Sequence, residues 1–495
     1  MRNSRLILIL SSLSFDELRE FGKYLNSPLH NTNKTIVRFF NLIKRHHPEY
    51  TSRALTMEHI HKKIFPSKKY NPAVIRNVIS EMTHISEEFL AYLEFYNDAF
   101  SRKKFLLNQL DSRKLEKLFE KHLKDTFQYL ESSKVRDEFY FFNKYQLQNI
   151  KRNFYDRYIL AGERETVDKI LPEIINNLTY AFIITFLKEY FTYTSVKKFF
   201  EIEYRHKFFD VLIKHISKEK DSYKEVPLIF ILFIFLSIFT DKKEEELTPR
   251  LKELIDSNKE LMSPDDFRNF YIELYNHYKN QQLIGDKSYG RKSFELMKEM
   301  LKENIFIQED NYMSAHAYTN IVHAAVRVNE LDWAENFLNE YKNKLPVHHR
   351  ENAYIYSSAV VNLKKGLISK KSYKRKKYLD IALEYLAKVK NDDYFYMLRI
   401  KNMQIHIHCE LKEYELAKKI IEGYKQYLSK KNIIPHKNKA RYANYIRFTK
   451  ELIKLSICCD GFALQQLKKQ VTETKMTEYR GWLLKKIDEL ETSAN

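Results

Sequence analysis

Three short segments begin predicted helices in the same way, and they constrain the fold more than any other part of the chain. They are Leu331–Ala334, Leu379–Ala382 and Tyr414–Ala417, each following a polar turn and each ending in an alanine. A small side chain at such a point lets two helices approach closely. The alanines are 48 and 35 residues apart. A helix-turn-helix repeat of about 34 residues fits the second interval directly, and the first if one loop carries about 14 extra residues. The pattern therefore predicts repeated helix pairs.

The scarcity of turn-forming residues points to the same fold class. The chain has 495 residues but only 8 glycines and 10 prolines. A β-sheet protein of this length would need many more, because every hairpin requires its own turn residues. We therefore predict an all-α protein, in which the helix pairs stack into an α-solenoid behind a small helical N-terminal domain.

The chain is strongly basic, with 85 Lys and Arg against 65 Asp and Glu and a net charge of +20. Such a balance is typical of proteins that bind nucleic acid or an anionic surface. The same balance also follows from a general compositional bias, because Lys, Ile, Asn, Tyr and Phe are all abundant. The excess is spread along the whole chain, so it does not assign nucleic-acid binding to one domain.

Four segments can be distinguished along the chain. The first contains four predicted helices that begin at recognisable signals: a Ser14–Glu17 capping box, Lys34, Thr56 and the Asn71-Pro72 pair. The second contains degenerate helical repeats whose phase is not readable, the third contains legible helix pairs, and the fourth contains helices that cap the stack. The predicted boundaries are 1–96, 97–262, 263–430 and 431–495.

The third segment resembles the tetratricopeptide repeat family. When Ala334 is matched to the small residue of the family's second helix, Tyr318 falls at the aromatic position of the first helix and Ile321 at its leucine. Pro346 falls at the closing proline, while Val322 departs from the pattern, because the family has glycine or alanine there. The resemblance implies paired antiparallel helices in a right-handed superhelix.

The match is specific over 311–430, about a quarter of the chain. More loosely, the whole layout resembles a family of uncharacterised bacterial proteins with a helical N-terminal domain and divergent repeats. That second resemblance implies no particular function.

No catalytic, metal or cofactor site is predicted. In a helix, His406 and His408 point about 200° apart, so they cannot share one ion. The glycine-containing segment Gly285–Ser293 has Arg291 where a phosphate-binding loop requires lysine directly after its second glycine. We therefore expect a non-enzymatic protein without cofactors, although a site assembled from distant helices would escape sequence reading.

Repeats of this class bind peptides along a groove lined by their first helices, and this supplies the main candidate site. The first helices would place asparagine, histidine and arginine there, which could hold an extended backbone and an acidic terminus. Ordinary solvated helix surface is the alternative interpretation. The candidate peptide-binding residues are Asn320, His323 and Arg327 from one repeat, and Arg399, Asn402 and His406 from another.

A second candidate is a basic run that we predict to lie in an inserted loop between Gly366 and Tyr378. Such runs can bind phosphate, or they can be solvated loops. The candidate residues for contact with an anion or nucleic acid are Lys370, Lys371, Lys374, Arg375, Lys376 and Lys377. In the N-terminal domain, the helix beginning at Pro72 could also enter a DNA groove through Arg76 and Asn77.

The cysteine count favours a reducing, cytoplasmic setting, because Cys409, Cys458 and Cys459 cannot form a disulfide framework. The apolar run Val226–Phe239 is too short to cross a bilayer of about 30 Å, so we expect a buried helix and no membrane insertion. The leading hypothesis is a helical-repeat scaffold that binds a protein or peptide partner. The alternative is a regulator associated with nucleic acid.

Overall fold

A computed structural model describes residues 4–494 except 53, 159–163, 201–205, 224, 241–243, 285–287, 309–310, 391–393, 431–435, 459 and 475. The described residues form 23 α-helices and no strand, and their only β-pairing is an isolated bridge between Ile307 and Met313. The prediction of an all-α fold is confirmed. By internal contacts the chain divides into two compact units, Met1–Phe267 and Arg268–Asn495. The finer division into four segments stays a prediction.

The first unit contains the N-terminal helices and the aromatic-rich helices that follow them. Its helices pack mainly on their neighbours in the chain, and α1, α2, α3 and α4 all pack on the long helix α5. The bounds are α1 Arg5–Ser12, α2 Phe15–Asn26, α3 Lys34–Ile43, α4 Met57–Ile64, α5 Pro72–Asn97, α6 Ala99–Ser112, α7 Glu116–Ser132, α8 Glu138–Tyr158, α9 Arg164–Phe200, α10 Lys207–Lys218, α11 Pro227–Thr240 and α12 Glu244–Ser257.

Side-chain caps determine where the N-terminal helices begin. The Ser14 hydroxyl accepts a hydrogen bond from the Glu17 N–H at 3.2 Å, and the Glu17 carboxylate accepts one from the Ser14 N–H at 2.7 Å. The predicted capping box is therefore present. Thr56 caps α4, and Asn71 caps α5 with Pro72 in the first turn, as the sequence predicts. Helix α1 was not predicted from the sequence; its residues Leu6, Ile7 and Leu10 are buried.

Two apolar helices in this unit bear on membrane insertion. Helix α11 is largely buried, as predicted for the apolar run that contains it. Within α9, the segment Ile170–Thr194 is long and apolar enough to cross a membrane, and 39% of its most apolar window is buried. This single segment is weak evidence for a membrane span, because the core helix of a soluble protein passes the same test.

The second unit is built mainly from helices that pack on their neighbours in the chain. Helices α15 and α16, α17 and α18, and α19 and α20 pack as pairs, and α15 also packs on α17. The C-terminal helices α21, α22 and α23 pack on one another, and α21 packs on α20. The bounds are α13 Pro264–Ile284, α14 Ser288–Lys302, α15 Ala315–Arg327, α16 Leu331–Tyr341, α17 Val347–Ile368, α18 Ser372–Lys388, α19 Tyr394–Glu410, α20 Tyr414–Lys430, α21 His436–Cys458, α22 Gly461–Glu473 and α23 Arg480–Ala494.

Two of these pairs are joined by the same turn. Asn329 and Lys412 adopt left-handed backbone conformations, with φ of 63° and 60°. The N–H of the following residue then bonds to a carbonyl five positions earlier, from Glu330 to Ala325 at 3.0 Å and from Glu413 to His408 at 2.8 Å. Glycine is the usual residue in this helix-ending turn, and asparagine is its usual substitute. The chain thus makes sharp turns although it contains few glycines.

The alanines on which the repeat prediction depends are all fully buried. Ala334 on α16, Ala382 on α18 and Ala417 on α20 each have 0% exposure. Tyr318 on α15, which was matched from the sequence to an aromatic position, is also fully buried, and its hydroxyl donates a hydrogen bond to the Leu338 carbonyl on α16 at 2.8 Å. The small and aromatic positions predicted from the sequence therefore lie where paired helices meet.

The prediction of a long basic loop between Gly366 and Tyr378 is wrong. Helix α17 continues to Ile368 and α18 begins at Ser372, so only three residues separate the two helices. Gly366 explains the close pairing, because a Cβ atom there would lie 2.8 Å from a methyl carbon of Leu379 on α18. The lysines of the basic run are therefore mostly helical residues.

Candidate functional site

The structure brings together three of the six residues predicted to line a peptide-binding groove. His323 and Arg327 lie on α15 and Arg399 lies on α19. The guanidinium groups of Arg327 and Arg399 are both close enough to His323 to act on its charge. Arg399 also lies beside the hydroxyl of Tyr356 on α17, and that hydroxyl is 3.2 Å from His323 Nε2.

Two further cations extend the site. Lys279 on α13 interacts electrostatically with Arg327, Arg399 and Arg441, the last of which lies on α21. Burial and, to a smaller extent, the three guanidinium groups together lower the pKa of Lys279 to about 8. We call Lys279, Arg327, Arg399 and Arg441 the cationic cluster. Each of its members comes from a different helix, α13, α15, α19 or α21.

The cationic cluster has little compensating negative charge. Arg441 forms an ion pair with Glu478. Among the residues that the structure describes, Lys279, Arg327 and Arg399 have no carboxylate within ion-pair distance. Cations that repel one another and lack partners reduce the stability of a fold, so their convergence indicates a site suited to an anion.

Neutral hydrogen-bonding groups lie among these cations. Burial, with smaller contributions from Arg399, Arg327 and Lys279, lowers the pKa of His323 to about 3, so the imidazole is uncharged near neutral pH. Burial also raises the pKa of Tyr356 to about 12, although Arg399 opposes the rise. Both side chains therefore act as neutral hydrogen-bonding groups, whose donor and acceptor roles depend on the histidine tautomer.

Tyrosine rings adjoin the cationic cluster. The Tyr356 and Tyr396 rings meet edge to face with centroids 5.3 Å apart. Tyr442 lies close to Arg441 and Arg399, and Tyr479 lies close to Arg399 and Tyr356. Burial is the main cause that raises the pKa of both Tyr442 and Tyr479, so their hydroxyls remain protonated near neutral pH. The site thus combines fixed positive charge with uncharged hydroxyl groups and aromatic surface.

The other three predicted groove residues occupy different positions. Asn320 is half-buried on α15, and its side chain makes no hydrogen bond to any described residue. Asn402 and His406 are each 2% exposed. The His406 ring packs against Trp482 and Tyr479, with centroids 4.4 and 5.0 Å away. In this structure neither Asn402 nor His406 reaches the surface, and C-terminal residues cover His406.

A buried carboxylate adjoins His406. Glu410 has a side chain only 2% exposed, and it pairs with Arg375 from α18 and with Lys486 from α23 at 3.1 Å. The Trp482 indole N–H donates a hydrogen bond to the same carboxylate. Arg375, predicted as a free anion contact, is therefore held in an ion pair inside the unit. The remaining cations of that run are exposed: Lys370, Lys371, Lys374, Lys376 and Lys377.

One group of carboxylates in the first unit has the spacing of metal ligands, and the sequence did not reveal it. Asp137, Glu138 and Asp266 bring their oxygens within 4.8 Å of one another. The Lys188 ammonium lies 2.5 Å from Glu138 and 2.7 Å from Asp266. A lysine thus supplies positive charge where a metal ion would, and the group acts as a buried ion-pair network.

Sequence reasoning missed Lys279, Arg441 and the tyrosines around them. The available signal was a basic residue on each of α13, α15, α19 and α21, namely Lys279, Arg327, Arg399 and Arg441. Arg441 was passed over because its helix was interpreted only as a cap. The glycine segment that begins at Gly285 cannot be compared, because 285–287 lie outside the described residues. Comparison of the chain with protein-family models, curated proteins and solved structures finds no match.

Proposed function

We propose that this protein is a non-enzymatic, tetratricopeptide-like α-solenoid that binds an acidic segment of a partner protein at the cationic cluster. In this proposal the helix pairs of the second unit stack so that α13, α15, α17, α19 and α21 line one groove. The partner's carboxylates would pair with the cluster, and its backbone would bond to neutral groups such as His323 and Tyr356.

The observation that carries the proposal is the convergence of four cations from four helices, three of which form no ion pair with any residue that the structure describes. A structural network would contain a similar number of carboxylates, as the Lys188 network does. The distribution over four helices favours an elongated ligand over a single small ion. Tyrosine and arginine are also enriched at the centres of protein interfaces, where they contribute much of the binding energy.

The test is a pull-down from lysate of the source organism, using the whole chain with and without nuclease at low and high salt. The informative variant is Arg327→Gln with Arg399→Gln, because glutamine keeps polarity and removes charge. The matched control is Lys376→Gln with Lys377→Gln, which removes two exposed cations from α18. We expect a protein partner that survives nuclease and is retained by the control, but binds the cluster variant at least tenfold more weakly.

The opposite result would favour the nucleic-acid alternative. Recovery of nucleic acid alone, lost between about 50 and 200 mM salt as counterion release predicts, would overturn the proposal. Loss of that material in the Lys376→Gln and Lys377→Gln control would then assign binding to the basic start of α18. An equivalent loss on changing Arg76 and Asn77, both exposed on α5, would assign it to the N-terminal helices.

A further inference from the structure

A second basic surface lies in a groove between α20 and α21, with a volume of about 960 Å³. Apolar and small side chains form its floor: Leu428 from α20, and Ala440, Ala443, Ile446 and Ile457 from α21. Ile446 is 1% exposed, whereas Ile457 is 60% exposed. The floor therefore presents apolar surface that no described side chain covers at the Ile457 end.

Cations line both sides of this groove. Lys418 and Lys425 project from α20, and Lys439, Arg447, Lys450 and Lys454 project from α21. Three carboxylates compensate part of this charge: Glu415 pairs with Lys418, Glu422 with Lys425 and Lys450, and Glu451 with Lys454. Lys439 and Arg447 have no carboxylate within ion-pair distance among the described residues. The groove thus has six cations to three carboxylates.

The α20–α21 groove is separate from the cationic cluster. Arg441 belongs to the cluster and Lys450 lines the groove, and the two residues are nine positions apart on α21. At about 100° per residue, nine positions correspond to roughly 180°, so the two side chains leave opposite sides of the helix. A ligand in one site does not compete directly for the other.

We propose that the α20–α21 groove binds one amphipathic acidic helix from a partner protein. The lining residues of α21 extend from Lys439 to Cys458, about 30 Å at 1.5 Å per residue, which matches a helix of about 20 residues. Ala440 and Ala443 keep the floor shallow, so a helix can approach closely with its apolar face inward. Its acidic flanks would meet the cations on both sides. Nucleic acid would use these cations but leave the apolar floor unused, so the floor favours a helix.

The first experiment is a display selection from an unbiased library of random 20-residue peptides against the whole protein. Counter-selection uses the variant Arg447→Glu with Lys454→Glu, which reverses charge on one side of the groove. We expect enriched peptides with apolar residues at helical spacing and Asp or Glu on both sides of them. Enrichment of peptides without acidic flanks, or recovery of no peptide specific for the unmodified groove, would overturn the proposal.

The second experiment measures the affinity of the most enriched peptide by fluorescence anisotropy. We expect at least tenfold weaker binding to Arg447→Glu with Lys454→Glu, and similar weakening by Ala443→Trp, which fills the floor without changing charge. Lys485→Glu on α23 is the control and should change affinity less than twofold. A scrambled peptide of the same composition should bind at least tenfold more weakly. Equal binding of the scrambled peptide would overturn the proposal. Displacement of the selected peptide by a 20-base-pair DNA duplex at equal concentration would also overturn it.

The Arg327→Gln with Arg399→Gln variant separates this inference from the proposed function. Because the two surfaces lie on opposite sides of α21, the selected peptide should bind that variant with unchanged affinity. Loss of its binding there would show that the peptide occupies the cationic cluster, and it would overturn the groove inference while leaving the proposed function intact. Circular dichroism of every variant checks that the helices are retained.

Discussion

At the scale of single residues, the cationic cluster reduces the stability of the protein that contains it. Lys279 illustrates this, because its pKa falls from 10.5 to about 8 in the folded protein. A lysine whose pKa is lowered by folding binds its proton more weakly in the native state than in the unfolded state. Below pH 8 the charged form therefore destabilises the native state, and this penalty disappears as pH rises from about 8 to about 10.5.

We predict that Lys279→Met, which keeps the aliphatic stem and removes the charge, stabilises the protein at pH 7. The expected increase in the free energy of unfolding is roughly 1–3 kcal/mol, from about 1.4 kcal/mol for each pH unit by which a pKa changes. The gain should shrink toward zero near pH 10.5, where the native lysine is already neutral. Urea titrations at pH 7, 9 and 10.5 measure this difference.

The matched control is Lys485→Met, because Lys485 has a side chain 70% exposed and lies outside the cluster. It should change the free energy of unfolding by less than about 0.5 kcal/mol. If Lys279→Met instead destabilised the protein at pH 7, Lys279 would have a structural role. The cost in stability that supports a ligand-binding role for the cluster would then be absent.

Glu410 is the opposite case, a charge on which the fold depends. Its nearly inaccessible carboxylate compensates Arg375 and Lys486, whose side chains are 33% and 21% exposed. We predict that Glu410→Ala lowers the free energy of unfolding by about 3–5 kcal/mol, because two partly buried cations lose their partner. Denaturant unfolding followed by tryptophan fluorescence measures the loss. Glu489→Ala, on an exposed part of α23, is the control; an equal effect of both changes would contradict the assignment.

At the scale of helices, one glycine determines how closely α17 and α18 pack. A Cβ atom on Gly366 would lie 2.8 and 2.9 Å from two carbons of the fully buried Leu379. We predict that Gly366→Ala destabilises the protein by about 1–3 kcal/mol, because the added carbon overfills a packed interface. Thermal unfolding compared with the unmodified chain measures the cost.

Gly423 on α20 provides the control for Gly366. A Cβ atom there would meet no atom within 4 Å, so alanine adds no clash. Because alanine favours helix over glycine, Gly423→Ala should stabilise the protein by about 0.5–1 kcal/mol. If Gly366→Ala also stabilised the protein, the gain in helix propensity would outweigh any clash, and the packing explanation for Gly366 would be wrong.

The sequence predicted helices better than the connections between them. Ser14, Thr56 and Asn71 reveal helix starts because a cap acts within three or four residues, and such local chemistry is visible in a single chain. The start of α18 was misplaced because six cations in eight residues resemble a solvated loop. What holds that segment in a helix is packing on α17 and the ion pair between Arg375 and Glu410, which lie 35 residues apart in the chain.

At the scale of the whole molecule, the two compact units should unfold separately in denaturant. Both tryptophans, Trp333 and Trp482, lie in the second unit, whereas helices lie in both units. Tryptophan fluorescence therefore reports the second unit alone, while far-ultraviolet circular dichroism reports both units. We predict urea transitions with different midpoints for these two signals. The same comparison is made for the Glu410→Ala variant, in which the second unit is weakened. If the two transitions coincide in both proteins, the chain unfolds in one cooperative step.

The candidate site could be predicted only in part, because which side chains are exposed depends on how distant segments of the chain pack. Repeat alignment put His323, Arg327 and Arg399 on first helices of the pairs, and in the structure these three side chains lie near one another. The same alignment could not show that Tyr479 and Trp482 cover His406, because depth depends on what the distant C-terminal residues pack against. It also missed Lys279 and Arg441, because both residues lie outside 311–430, the part of the chain that the alignment covered.

The exposed thiol of Cys458, at one end of the α20–α21 groove, offers a chemical handle. Cys409 is buried, and burial raises its pKa to about 12, so it stays protonated and unreactive. With Cys459 changed to serine, a maleimide dye would attach at a single position beside the groove. A solvent-sensitive dye there would change colour or brightness when the groove fills, so a partner could be detected in solution without first being identified or tagged.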